Sequence, residues 1–343
     1  MKKHKEGLYA REYALMLVLL LAAAALSICL GSVNLPLSDT LKSIFALITG
    51  GDVSDLGTAP AILSTRLPRA ACVALTGAAL SLSGAAMQGL LKNPLADGST
   101  LGVSSGASLG AVAAIAFGLS VTSLPFAGTV VAAMVFAFAS LLIILFLSYK
   151  LDCSLSTHTI ILVGVIFSMF ASSIISLLIT FASGRIKQIT FWTMGSLAGS
   201  SYENALLLLG AFLVFGGIIF FTARELNAFA VGEDNARTIG VNVKRVKLTV
   251  LICVSALIGV CVSIGGTIGF VGLVTPHIMR MITGPNHKRL LPASAMGGAT
   301  FLLLSDLAAR TLLSPLELPI GVVTSLVGAV VFVFVFYRSR RMG

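Results

Sequence analysis

Charged side chains are scarce in this chain: Asp, Glu, Lys and Arg make up 10% of its 343 residues, whereas a soluble domain has about a quarter. Polar stretches long enough to form a separate soluble domain are also missing. Instead, 57% of the residues are hydrophobic, and apolar runs of about 20 residues, the length that crosses a bilayer, recur along the sequence. We therefore expect an integral membrane protein with one transmembrane domain over residues 1–343.

Motifs for catalysis are missing as well. The phosphate-binding sequence G-x-x-x-x-G-K-[ST] does not occur, so any use of ATP must belong to a partner chain. The histidines lack H-E-x-x-H spacing and the cysteines lack C-x-x-C spacing, so we expect no metal site, no cofactor and no disulfide. The net charge of +10 is spread over short loops, which membrane orientation explains better than binding to nucleic acid. The sequence therefore predicts a protein that is not an enzyme.

The apolar runs predict an all-α bundle of about ten transmembrane helices, because lipid leaves no partner for free backbone groups and the runs lack the alternation of barrel strands. We place the spans at residues 12–32, 70–91, 99–118, 124–149, 158–182, 203–223, 246–265, 268–283, 291–309 and 319–337. Lys and Arg concentrate on the side that holds both termini, which include Lys2, Lys3, Lys5, Arg338, Arg340 and Arg341. Both termini are therefore predicted to lie in the cytoplasm, with the chain in the cytoplasmic membrane.

Two arginines, Arg66 and Arg69, flank Pro68 just before the second predicted span, on the side opposite the basic loops. Proline is well placed in the first turn of a helix, so we expect both guanidinium groups at a rigid helix mouth that faces the extracytoplasmic space. With Arg310 on the same side, they predict forks for the carboxylates of a docking protein. The alternative is that they anchor the helix at the headgroups. Asp306 precedes Arg310 by one helical turn, which favours an ion pair within one helix over partner docking or a proton relay.

Small residues follow the turn Asn93-Pro94, which ends the second predicted span. Proline prevents continuation of the helix, and the Asn side chain can satisfy freed backbone groups. Glycines then repeat at four-residue spacing, which lets helices approach closely. The alternative is the wall of a wide substrate path, lined by hydroxyls and backbone at Gly102, Ser104, Ser105 and Gly106.

The longest polar stretch after the start of the chain, Arg224 to Lys247, falls on the predicted cytoplasmic side and includes the loop 224–245. Within it, Glu233 to Thr238 predicts one or two helical turns that begin near Gly232 and end at Gly240 as the C′ residue. One side of this segment is apolar and the other is charged. A simple loop is possible, but we favour a docking helix for a cytoplasmic partner.

Several segments together resemble the permeases of type II ABC importers, the FecCD-like family that carries iron–siderophores, haem or cobalamin. These segments are Arg66–Arg69, Gln88–Asp97, Leu101–Ala107, Gly269–His277 and Glu317–Thr324. The resemblance covers essentially the whole chain. It implies a homodimer or a dimer with a paralogous permease subunit, cytoplasmic ATP-binding subunits beneath the dimer, and a substrate-binding protein that docks on the extracytoplasmic side.

The resemblance also implies roles for individual residues. The arginines that would pair with acidic residues of the binding protein are Arg66, Arg69 and Arg310. The cytoplasmic gate would include Asn93, Leu95, Thr157 and His158, where His158 departs from the Ser-Thr-Ser segment of the cobalamin permease. Coupling to the ATPase would fall to Gly232, Glu233, Asp234, Ala236, Arg237 and Gly240.

The function that we expect is import of an iron(III)–siderophore complex, driven by a separate ATPase. Cobalamin and haem are the alternative cargoes, because permeases for all three share these motifs. An ion-coupled carrier that works alone is a further alternative, but such carriers usually place ionisable groups near the midplane. Asp306 is the only carboxylate well inside one of the late spans, which argues against that alternative.

Overall fold

The computed structural model describes residues 10–31, 36, 38–40, 42–43, 59–119, 127–153 and 156–342. Every regular element within these ranges is helical, so the predicted all-α class is confirmed. The basic residues Lys2, Lys3 and Lys5 and the beginning of the predicted fourth span lie outside the described residues.

Fourteen α-helices are described along the chain. They are α1 (Ala10–Cys29), α2 (Ala59–Leu90), α3 (Val103–Phe117), α4 (Ala127–Leu151), α5 (Thr157–Phe181), α6 (Ile186–Thr193), α7 (Tyr202–Ala211), α8 (Gly217–Phe221), α9 (Ala223–Val231), α10 (Glu233–Thr238), α11 (Val243–Gly265), α12 (Val271–Thr283), α13 (His287–Thr311) and α14 (Ile320–Met342). One π-helical turn, Phe212–Gly216, makes α7 and α8 a continuous rod. Short 3₁₀ turns precede α3 and α6.

The described residues contain 7 helices that are long and apolar enough to cross a membrane. They are α1, α2, α4, α5, the α7–α8 rod, α11 and α13. Two further apolar helices, α3 and the first part of α14, are shorter, and α12 has 13 residues. The number of crossings and the cytoplasmic position of both termini stay predictions.

Helix α2 lies at the centre of the bundle. Helices α13, α12 and α11 pack around it. In an apolar stretch of 18 residues within α2, 83% of the residues are buried. In contrast, only 17%, 28% and 22% of the residues are buried in the corresponding stretches of α1, α4 and α5. Large apolar faces left open in this way are tolerated against lipid or a partner subunit and not against water.

Glycines set the spacing between α2 and its neighbours. A Cβ atom on Gly77 would overlap the carbonyl oxygen of Gly298 in α13, and a Cβ atom on Gly298 would overlap the carbonyl oxygen of Gly77. Likewise, a Cβ atom on Gly84 would overlap the carbonyl oxygen of Gly272 in α12. Because lipid provides no hydrophobic drive for helices to associate, close backbone contact of this kind contributes much of the packing energy.

Replacing Gly77 by Leu should therefore destabilise the bundle by about 1–3 kcal/mol or more, since the added atoms force α2 and α13 apart. The matched control is Gly210→Leu, where a Cβ atom meets nothing within 4 Å. Thermal unfolding of both variants in detergent measures the difference. Equal midpoints for the two variants would contradict the close α2–α13 contact.

The helix that contains the second predicted span begins earlier than that span. Helix α2 begins at Ala59, so Arg66, Pro68 and Arg69 lie inside it and do not form a helix mouth. Ala59 and Leu63 are both buried, and this apolar packing extends the helix upstream although Pro68 removes one backbone donor. The third predicted span also differs, because a 3₁₀ turn and Gly102, with φ +79°, precede the regular part of α3.

Candidate docking, gating and coupling sites

Two guanidinium groups cap the C-terminal end of α1. Arg66 donates from Nη1 to the carbonyl oxygens of Ile28 at 2.9 Å and Cys29 at 3.1 Å. Arg310 donates from Nη2 to the carbonyl oxygen of Ser27 at 2.8 Å. The last carbonyls of a helix have no partner within it, and their partial negative charge attracts cations. Both arginines therefore fasten the end of α1 to α2 and α13.

Asp306 is the buried centre of an ion-pair network beside that cap. Its Oδ1 accepts from Arg69 Nε at 3.1 Å and from Nη2 at 2.9 Å. Its Oδ2 lies 3.0 Å from Arg310 Nε, an ion pair without hydrogen-bond alignment. The predicted pair within one helix is thus confirmed, with Arg69 as an additional partner that the spacing did not show. Arg69 also donates from Nη1 to Glu317 Oε2 at 2.9 Å.

Burial changes the interpretation of the arginine cluster, which consists of Arg66, Arg69 and Arg310. Arg66 is 8% exposed and Arg310 is 4% exposed, so the prediction that they face the extracytoplasmic space as open forks is wrong. The end of α1 and the Asp306 carboxylate offer acceptors inside the protein, and the guanidinium groups turn toward these. The accessible edge of the cluster is Arg69 with Glu317, whose side chain is 40% exposed. Docking of a binding protein at the cluster stays a prediction.

The first predicted gate segment is a compact turn after α2. Asn93 Oδ1 accepts from the backbone N–H of Leu95 at 2.9 Å, and the backbone N–H of Ala96 donates to the Asn93 carbonyl at 3.0 Å. This is the local hydrogen bonding expected when Asn precedes Pro. The Leu95 side chain projects into the open. The part that this turn plays in a gate stays a prediction.

The second predicted gate segment begins α5. Thr157 is its first residue, and Ser156 caps it by accepting from the backbone N–H of Thr159 at 3.4 Å. Asp152 Oδ2 in turn accepts from the backbone N–H of Ser156 at 3.0 Å. His158 is exposed. Asp152 and Thr159 were not singled out from the sequence; the only local signal at this site is Ser156, a residue type preferred at helix N-caps.

The predicted helix of the coupling segment is confirmed with its bounds. Gly232, with φ +135°, separates α9 from α10, and α10 ends where Gly240 adopts φ +90°. The backbone N–H of Gly240 donates to the Arg237 carbonyl at 3.0 Å, and that of Val241 donates to the Ala236 carbonyl at 3.0 Å. These two bonds are those of a Schellman motif.

Helix α10 has one anchored side and one free side. Ala236 is fully buried, and Glu233 Oε2 accepts from Lys247 Nζ of α11 at 2.8 Å. Asp234 and Arg237 are exposed. A short helix that is fixed to the bundle and presents opposite charges outward can transmit a force from a partner that binds it.

Helix α9 is anchored in the same way. Phe229 is fully buried, whereas Val231 at the end of α9 and Ile239 beyond α10 are exposed. Asn227 Oδ1 accepts from the backbone N–H of His287 at 2.8 Å and lies 2.9 Å from its ring Nδ1. The segment therefore combines a firm attachment to α13 with an outer surface that is partly apolar.

The glycines of α3 form a packing face. A Cβ atom on Gly106 would overlap Ser140 Oγ of α4, and one on Gly102 would lie 2.8 Å from the Gly164 carbonyl oxygen of α5. The prediction that Gly102 and Gly106 line a substrate path is therefore wrong for this arrangement, because neighbouring helices cover them. Close packing of helices, the other interpretation of this repeat, explains these two glycines.

The serines of α3 face the other way. Ser104 and Ser105 line a cavity of about 360 Å³. Further hydroxyl groups in its lining come from Ser108, Ser172, Thr193 and Thr267. Asp97 is the only carboxylate among the described residues that line it, and none of those residues is Lys or Arg. Both sequence interpretations of this helix thus apply, each to one of its faces.

Seven described helices that are long and apolar enough to cross a membrane, with large apolar side chains left exposed, are the features of an integral membrane protein. The model of the FecCD transport family matches residues 19–338, and the chain belongs to this family. It is an integral membrane permease subunit of an ABC importer, and it does not itself carry out catalysis.

Proteins that are similar to this chain over most of its length agree with this assignment. The chain is 42% identical to the uncharacterized ABC transporter permease protein YvrB of Bacillus subtilis, covering 93% of this chain and 91% of that one. It is 34% identical to the molybdate import system permease protein MolB of Haemophilus influenzae, with 95% of each covered. It is 39% identical to the cobalamin import system permease protein BtuC of Halobacterium salinarum, with 83% and 75% covered.

A solved structure gives the same fold. It is an inward-facing conformation of a transporter assigned to the metal-chelate ABC type, with a TM-score of 0.84 and 32% identity. The match covers 96% of this chain and 100% of that one. The single permease domain over residues 1–343 stays a prediction.

Proposed function

We propose that this permease conducts an iron(III)–siderophore complex that an extracytoplasmic binding protein delivers. The observation that carries the proposal is the cavity beside α3, whose lining is rich in hydroxyls and poor in charge. A transport path must let its cargo enter and leave, and many weak contacts achieve this better than a few strong ones. A bulky chelate whose own ligands already satisfy its metal needs no fixed charge from the wall.

A second permease subunit, a copy or a paralogue, completes the path in this proposal. The cavity within one chain is about 360 Å³, near the lower end of the roughly 300–1,000 Å³ that ligand pockets span. A bulky chelate therefore needs space that one chain alone does not enclose. The apolar faces that α4 and α5 leave open are available for lipid and for such a subunit.

The remaining roles stay with the residues that the sequence indicated. The docking site is the cluster of Arg66, Arg69 and Arg310, with Arg69 as its outer contact and the other two as its rigid base. The gate comprises Asn93, Leu95, Thr157 and His158. The ATP-binding subunits press on α9 and α10 through the segment from Gly232 to Gly240, whose exposed charges are Asp234 and Arg237.

Cobalamin is the second candidate cargo, and haem is the third. A relative of 39% identity is named for cobalamin import, and this cargo is also a bulky chelate to which the same wall is suited. Molybdate, for which another relative is named, is a small oxyanion. The absence of Lys and Arg from the described lining disfavours it.

The cargo can be identified on the binding protein that docks on this permease. Purified without added ligand, that protein should retain an iron chelate, detected as iron by elemental analysis and as an organic chelator by mass spectrometry. Vesicles with the assembled transporter should then take up the same chelate labelled with radioactive iron. A retained corrinoid, with cobalt in place of iron, would replace the siderophore proposal by the cobalamin one.

A further inference from the structure

We propose that Glu317 is a built-in competitor for Arg69, occupying the guanidinium edge that a carboxylate of the docking protein takes. The inference rests on the proposed docking of a binding protein at the arginine cluster. It adds a regulatory feature to that site: docking exchanges one carboxylate for another.

The two edges of the Arg69 guanidinium group have different partners. Nε and Nη2 face inward and bind Asp306 Oδ1 at 3.1 and 2.9 Å. Nη1 faces Glu317 Oε2 at 2.9 Å. A guanidinium group offers its donors in a planar fork that a carboxylate can bind along one edge. Glu317 thus already holds the position that an incoming carboxylate needs.

The two carboxylates differ in how easily they leave. Asp306 has no solvent exposure, and its removal would strand the buried charges of Arg69 and Arg310. Glu317 is 40% exposed, and exposed ion pairs contribute little because water screens and replaces them. The pair of Arg69 with Glu317 is therefore the one that opens.

The position of Glu317 in the chain also favours an exchange. It lies in the non-helical stretch just before α14, where the backbone N–H of Leu318 donates to the Ala309 carbonyl at 2.9 Å. This bond fixes the backbone at the site. The Glu317 side chain can therefore turn toward water without a rearrangement of α13 or α14.

Charge balance gives the exchange its direction. The cluster contains the cations Arg66, Arg69 and Arg310 and the anions Asp306 and Glu317, which leaves one net positive charge, three minus two. An approaching carboxylate is repelled by Glu317 as long as that side chain stays on Arg69. When Glu317 turns away, the cluster gains attraction for the partner and binds it in place of Glu317. Docking is therefore weaker than it would be without Glu317, and the partner dissociates more readily.

The test measures binding of the purified binding protein to the transporter in nanodiscs, with Glu317→Gln as the variant. Gln keeps the shape of the side chain but removes the competing charge. We expect the Kd to fall at least about threefold, mainly through slower dissociation, since changes at one interface act mostly on the off-rate. Glu203→Gln, an exposed carboxylate at the start of α7, is the matched control and should leave the Kd unchanged.

Arg69→Gln and Arg69→Lys separate the inference from the docking proposal. Both should weaken binding, because Gln has no charge and Lys has no planar fork. If neither variant alters the Kd, the docking site itself is wrong and the competitor role falls with it. If both weaken binding while Glu317→Gln behaves like Glu203→Gln or binds more weakly, docking at Arg69 stands and the competitor role of Glu317 is refuted.

Discussion

Replacement of Asp306 by Ala is expected to lower the free energy of unfolding by about 3–5 kcal/mol, the usual cost when one partner of a buried ion pair is removed. Asp306 is fully buried between Arg69 and Arg310. Without the carboxylate, both guanidinium groups keep their charge in a site with little access to water. The end of α1 should loosen as well, because Arg310 holds it through the same side chain.

Glu317→Ala is the matched control for that loss. It removes another carboxylate partner of Arg69, but one that is 40% exposed, and an exposed pair contributes about 0–1 kcal/mol. Unfolding of both variants in detergent, followed by circular dichroism, gives the comparison. If Asp306→Ala lowers the free energy of unfolding no more than Glu317→Ala does, the buried ion pairs of Asp306 do not stabilise the bundle.

A double charge reversal on α10, Asp234→Lys with Arg237→Glu, is expected to reduce ATP-driven uptake by at least about tenfold, which corresponds to roughly 1.4 kcal/mol of lost coupling. Both side chains are exposed on a helix whose opposite side is anchored by Ala236 and Glu233. The fold should be unaffected, and the surface offered to the ATP-binding subunits should no longer be complementary.

The control for the α10 variant is Arg11→Glu with Glu12→Lys. This pair at the start of α1 also reverses two opposite charges and leaves the net charge unchanged. Uptake and ATP hydrolysis are measured in parallel in proteoliposomes. Uptake that is equal in the two double variants would show that the coupling contact lies elsewhere.

Local signals predicted α10 well. Gly232 and Gly240 define its ends because each adopts a positive φ that other residues avoid, and both lie within a few residues of the helix that they bound. The Asn93-Pro94 turn was predicted for a similar reason, since its hydrogen bonds close within three residues. Structure that depends on residues only a few positions apart can be predicted from the sequence alone.

The burial of the arginines could not be predicted in this way. Arg69 meets Asp306 across 237 positions of the chain, and Arg310 reaches Ser27 across 283. Hydropathy analysis treats Arg66, Pro68 and Arg69 as polar residues outside a span, whereas the fold provides internal acceptors that make them part of α2. Side chains of this kind show their role only when their tertiary partners are known.

The two faces of α3 illustrate the same limit. A repeat of small residues indicated that helices approach closely, and Gly106 does pack against Ser140 of α4. The repeat did not show that Ser104 and Ser105 lie on the opposite side, at the cavity. Periodicity groups residues by face, but the partner of each face is fixed by the arrangement of the other helices.

The central claim is that this chain is a gated conduit whose energy and cargo both come from partner proteins. The most direct measurement compares proteoliposomes that contain the chain alone with proteoliposomes that also contain its ATP-binding subunits and its binding protein. We predict accumulation of the chelate only with both partners and ATP present. Concentration of the chelate by the chain alone, driven by an ion gradient, would contradict the claim.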